Sequence, residues 1–102
     1  MNRRRKISIA MLLTFLTLVA GCRVNPAVRE KKYLDSGRRY SAEGKYKEAT
    51  IQFLNALKVD EDFPDAHYEL AKVYEHTGQF ESALRELQRT IDALAARPRP
   101  SQ

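Results

Sequence analysis

The sequence predicts an all-α chain built from two stacked helix-turn-helix units, an α-solenoid fragment. Three observations predict it. Gly44-Lys45-Tyr46-Lys47-Glu48-Ala49 recurs downstream as Gly78-Gln79-Phe80-Glu81-Ser82-Ala83. The flanking residues keep the same register: Tyr40 is matched by Tyr74, Phe53 by Leu87 and Ala56 by Thr90. Between the glycines, apolar residues return every three or four positions, the period of one helix face. A self-similar period of about 34 residues holds two helices and their turns, and such units bury their apolar faces by stacking.

Asn25-Pro26 starts the first helix. Asparagine accepts from a free backbone N–H at a helix start, and proline tolerates the first helical position. The helix runs to about Ala42, with Tyr33, Gly37 and Tyr40 on one face. Gly37 lowers helix propensity by about 1 kcal/mol relative to alanine, which is tolerable where a partner helix approaches closely. Gly44 ends the helix, since glycine adopts a left-handed conformation cheaply. The second helix, about Tyr46–Val59, carries Ala49, Phe53, Ala56 and Leu57 as a stripe. Asp60-Glu61-Asp62-Phe63 is the turn between units, and Pro64 begins a third helix that reaches about Glu75. Thr77-Gly78 is the next turn. The fourth helix spans about Gln79–Ala95, with Ala83, Leu84, Leu87, Ile91 and Leu94 apolar at helical spacing. Prolines lack a backbone donor, so residues 98–102 read as a disordered tail.

The units resemble tetratricopeptide repeats. In the first, Tyr33, Gly37, Tyr40, Ala49, Phe53 and Ala56 follow that family's order of large, small, aromatic, small, aromatic, small. In the second, Leu70, Ala71, Tyr74, Ala83 and Leu87 do the same. Glu61 stands where the family usually has proline, His67 replaces the first aromatic, and Thr90 replaces a small alanine. The resemblance implies an antiparallel helical stack over residues 26–63 and 64–97. About three repeats are usually needed for stability, and a polar terminal helix normally covers the last one. Leu84, Leu87, Ile91 and Leu94 are therefore expected to leave apolar surface exposed. Three expectations follow from it: self-association as a homo-oligomer through the last helix, a docked partner, or a shortened relative of a longer repeat protein.

The N-terminus has a different composition. Met1–Lys6 is basic, Ile7–Ala20 is an apolar run of 14 interrupted by Ser8, Thr14 and Thr17, and Gly21-Cys22 follows. A basic head, an apolar run and a small-residue exit make a secretory signal, and the run is short of the ~20 residues a bilayer span needs. Leu18-Val19-Ala20-Gly21-Cys22 resembles the bacterial lipobox. That resemblance implies a lipoprotein signal peptide over residues 1–21 and cleavage before Cys22, which would carry a diacylglyceryl group. Amino-terminal acylation, such as palmitate, is implied with it, and residues 22–25 form the tether. Each buried CH₂ contributes ~0.8 kcal/mol, and more than one chain gives a stable anchor. Cys22 is the single cysteine, so it has no disulfide partner within the chain. Arg23 follows it, rather than an inner-membrane retention aspartate, so the periplasmic face of the outer membrane is favoured over the inner membrane.

Charge and motifs exclude several function classes. The net charge of +5 is concentrated in Arg3, Arg4, Arg5 and Lys6. From Cys22 onward, 14 Lys and Arg face 13 Asp and Glu, a net of +1, which gives none of the steering a nucleic-acid binder needs. His67 and His76 lie far apart in sequence without a ligand set, so no metal site is expected. His67 reads as a packing residue at the repeat junction, and His76 as a solvated helix end. Asp60, Glu61, Asp62 and Asp65 lack the glycine of a calcium loop and read as a solvated turn. No nucleophile elbow or phosphate loop occurs, so neither an enzyme nor a cofactor is expected.

In repeats of this kind the first helix of each pair lines the concave face. Helical phase then assigns Leu34, Asp35, Arg38 and Ser41 of the first unit, with Tyr68, Glu69, Lys72 and Glu75 of the second, to a partner-binding groove. A narrower resemblance involves Lys32-Tyr33-Leu34-Asp35-Ser36-Gly37 and the run from Gly44 to Lys58. They look like the start of tetratricopeptide lipoproteins from exosortase, or PEP-CTERM, exopolysaccharide systems. The expected function is a membrane-anchored, non-catalytic scaffold for protein partners in the bacterial cell envelope. The alternatives are a self-associating assembly subunit and a non-functional fragment of a longer repeat protein.

Overall fold

The computed structural model describes residues 25–97. The expected signal peptide, the expected lipidation site at Cys22 and the expected tail at 98–102 lie outside the described residues. Four helices follow one another: α1 (Pro26–Ala42), α2 (Tyr46–Val59), α3 (Pro64–His76) and α4 (Phe80–Ala96). No strand occurs among the described residues. The α1–α2 and α3–α4 pairs are the two expected hairpins, and α3 lies across both α2 and α1.

Local chemistry sets each helix end. Asn25 Oδ1 accepts from the Ala27 N–H at 3.1 Å, and Pro26 occupies the first turn, where its missing donor goes unnoticed. Gly44 and Gly78 take φ values of +74° and +78°. That left-handed step turns the chain back, so the Lys45 N–H reaches the Tyr40 carbonyl at 2.9 Å and the Gln79 N–H reaches Tyr74 at 2.8 Å. The two turns are the same structure written twice, one repeat apart. Between the units, the Asp60 carboxylate accepts from the Asp62 N–H at 3.1 Å and Pro64 opens α3. The fourth helix begins one residue later than expected, at Phe80. Gln79 is held at φ −91°, ψ 68° by its bond back to Tyr74 and cannot enter the helix.

The core sits where α3 crosses the first hairpin. Phe53 and Leu70 are its largest fully buried side chains, with Ala49, Ala56 and Ala66 equally sequestered. Tyr33, Tyr40, Tyr46, Leu57 and Tyr74 pack against its margin. Gly37 is a close-approach site, because a Cβ there would lie 2.4 Å from Phe53 Cε1. The helix-propensity penalty of glycine is thus offset by the fully buried phenylalanine that the missing side chain admits.

Candidate partner-binding surface

The residues assigned to the groove come from α1 and α3, which touch each other. Three of them meet in one ion cluster. Glu69 Oε1 accepts from Arg38 Nε at 3.2 Å and from Lys72 Nζ at 3.1 Å. The Glu69 side chain is 10% exposed, whereas Arg38 and Lys72 keep roughly half their surface in water. The carboxylate is therefore a buried pivot that fixes two solvent-facing cations across the repeat junction. Lys72 Nζ also stands 4.9 Å from the centre of the Tyr68 ring, close enough for a cation–π contact.

Arg38, Ser41, Tyr46, Glu69, Lys72 and His76 line a shallow groove of about 350 Å³. Ser41 Oγ is buried there without a hydrogen-bond partner in the protein. Asp35 and Glu75 are exposed beside this cluster along their helices. Tyr68 is half-exposed.

Leu34 departs from its assignment. It is 3% exposed and belongs to the core cluster, so it does not face the groove. It lies three residues before Gly37 and shares that residue's buried face. Its counterpart in the second unit, Tyr68, is exposed because no described helix covers that unit as α3 covers the first.

His67 is a packing residue at the repeat junction, and it is also bonded at both ring nitrogens. Nε2–H donates to the Glu61 carbonyl at 2.7 Å, and Nδ1 is hydrogen-bonded to Glu86 Oε2 at 2.7 Å. The second carboxylate oxygen of Glu86 accepts from Arg89 Nη1 at 2.7 Å. His67 and Glu86 are both buried, and the bridge fastens α3, α4 and the inter-unit turn together. Sequence reasoning did not single out Glu86. The signal was present in the repeat register: Tyr33 and Gln52 of the first unit become His67 and Glu86 at the matching positions of the second. His76 is exposed in the last turn of α3, and its ring also stacks on Tyr46 at 5.2 Å and 11°.

Glu30 is held above the ordinary carboxylate range, first by desolvation and then by the Asp60 charge and hydrogen bond, with Arg97 opposing. No group of three His, Cys, Asp or Glu that could hold a metal occurs among the described residues. No described helix is long and apolar enough to cross a membrane. The ion cluster offers charge and hydrogen bonds to a polar chain.

The family model described as TPR repeat matches residues 37–78, which run from the middle of α1 to the turn before α4. The chain is similar to TPR repeats over that span, and the fold outside it continues the same hairpin pattern. Repeats of this kind are typically non-catalytic modules that bind protein partners. No curated protein matches the sequence.

Proposed function

We propose that the chain is a non-catalytic scaffold, anchored by lipid at Cys22, that holds another protein of the bacterial cell envelope. The observation that carries the binding half of this reading is the Arg38–Glu69–Lys72 cluster. A carboxylate buried at the repeat junction keeps two cations extended toward solvent beside a half-exposed tyrosine, which is a preorganised surface for a polar segment of a partner. The anchoring half is supported by Leu18-Val19-Ala20-Gly21-Cys22 after a basic and apolar leader. Arg23 supports delivery to the outer membrane, with the inner membrane as the alternative destination. The likeness of residues 32–37 and 44–58 to exosortase-linked lipoproteins favours a partner in exopolysaccharide or protein-sorting machinery.

A second reading, an assembly subunit that pairs with itself, is favoured by the exposure of Leu84, Ile91 and Leu94 on α4. Photo-cross-linking in intact cells separates the two. A photoreactive residue at Arg38 giving adducts with a different protein supports the scaffold; adducts with a second copy alone support the assembly subunit. For the anchor, Cys22→Ala should lose the acylated mass and leave the membrane fraction. Unchanged partitioning of that variant would contradict it.

A further inference from the structure

The second unit presents a copy of a groove that the first unit already fills. In the first unit, Leu34, Gly37, Ala49 and Phe53 are all buried. They form the floor on which α3 lies, with Ala66, Leu70 and Val73 of α3 in the same core cluster. One repeat later, these positions become Tyr68, Ala71, Ala83 and Leu87. With Phe80 and Leu84 they line an open groove of about 500 Å³ between α3 and α4. Tyr68 is 48% exposed there, Phe80 64% and Leu84 67%. Size is kept by compensating steps: the Gly37–Phe53 pair becomes Ala71–Leu87, a larger small residue against a smaller large one.

We propose that this groove seats one amphipathic helix of a partner protein whose seam has the chemistry of α3. The inference rests on the scaffold reading and names the partner's recognition element. What α3 offers the first unit defines what the occupant must offer the second. It needs small and aliphatic residues at the spacing of Ala66, Leu70 and Val73. It needs an acid at the position of Glu69, because Arg38, which Glu69 holds in the first unit, becomes Lys72 in the second. It needs a ring at the position of His76, because Tyr46, on which His76 stacks, becomes Phe80.

A second copy of this chain stacked head to tail does not meet the specification. It would offer α1, where the counterparts of Ala66, Leu70 and Val73 are Lys32, Ser36 and Arg39. Burying those cations against Leu84 and Leu87 leaves charge unpaired in an apolar seam. The acid alone is retained, as Asp35.

The test uses the full chain in detergent micelles and a fluorescent peptide of residues 62–77, cross-linked between positions 68 and 72 to hold it helical. Both positions are exposed on α3. Saturable binding is expected, weakened about tenfold or more by Leu84→Glu, an exposed change that keeps the melting curve. A peptide of residues 28–43, with the α1 seam, should not bind. Absence of saturable binding, equal binding of the α1 peptide, or indifference to Leu84→Glu would overturn the seat. So would a dimer of the free chain that Leu84→Glu dissociates, since the groove would then belong to a second copy. Adducts from position 38 in cells without peptide binding would overturn the seat and leave the scaffold reading standing. Peptide binding without any cellular adduct would overturn the scaffold reading.

Discussion

The packing of Phe53 over Gly37 makes the sharpest prediction. A methyl at position 37 would lie 2.4, 2.6 and 2.8 Å from Cε1, Cδ1 and Cζ of Phe53. The ring is fully buried and cannot swing into water. Gly37→Ala should gain about 1 kcal/mol from helix propensity and lose about 1–3 kcal/mol to overpacking, so the net should be a loss of up to ~2 kcal/mol. Phe53→Leu alone should lose about 1–1.5 kcal/mol, as a near-conservative core exchange. The double variant recreates the Ala71 and Leu87 pairing of the second unit, a smaller ring-free side chain opposite the added methyl. It should therefore be more stable than the sum of the single changes implies, with a coupling of ~1 kcal/mol or more. Thermal melts of the four proteins read this directly, since 1 kcal/mol shifts a domain of this size by about 4–8 °C. Additive single changes, or a Gly37→Ala variant at least as stable as the parent, would refute the close-packing account.

Other consequences follow from the same structure. Glu86→Ala leaves His67 and Arg89 without their shared carboxylate and should cost about 1–3 kcal/mol, the loss expected when a buried hydrogen-bonding group goes unsatisfied. The apolar pair His67→Phe with Glu86→Leu should recover most of that in urea titrations, and equal damage from the pair would contradict the bridge as the cause. Gly44→Ala and Gly78→Ala should each cost about 1–2 kcal/mol by forcing a side chain into φ near +75°, and should add, because nothing crowds either site. Glu30 is raised, so its ionised form opposes folding, and stability falls as pH rises from its unfolded value through its folded one. Glu30→Gln should therefore melt higher than the parent at neutral pH, with the gain fading as pH falls through the carboxylate range. A gain that persists in acid would point to a cause other than charge.

Much of the scaffold was legible because the repeat fixes several levels at once. Gly44 and Gly78 declare the same left-handed turn, and Pro64 marks a helix start, so helix ends were read to within a residue. Ala49 and Phe53 identified the inner face of α2 by spacing alone. The surface was harder to read, because helical phase gives a direction and not what stands in that direction. Leu34 and Tyr68 have the same phase in their units, yet one is covered by α3 and the other is open. Glu86 was missed for a related reason. A carboxylate in the middle of a charged helix reads as solvated until its neighbour 19 residues upstream is known to be a buried histidine. Ion pairs such as Arg38–Glu69, which join residues 31 apart, leave no trace in local spacing.

Which face of the stack meets another protein can be read in intact cells. Photoreactive residues would be placed one at a time at Asp35, Arg38, Lys72 and Glu75, and at Ile51 and Leu54 on the exposed side of α2. Adducts with one other protein from the first four positions, and none from positions 51 and 54, are the predicted result. Adducts spread evenly over both sets, or arising from positions 51 and 54 alone, would contradict it.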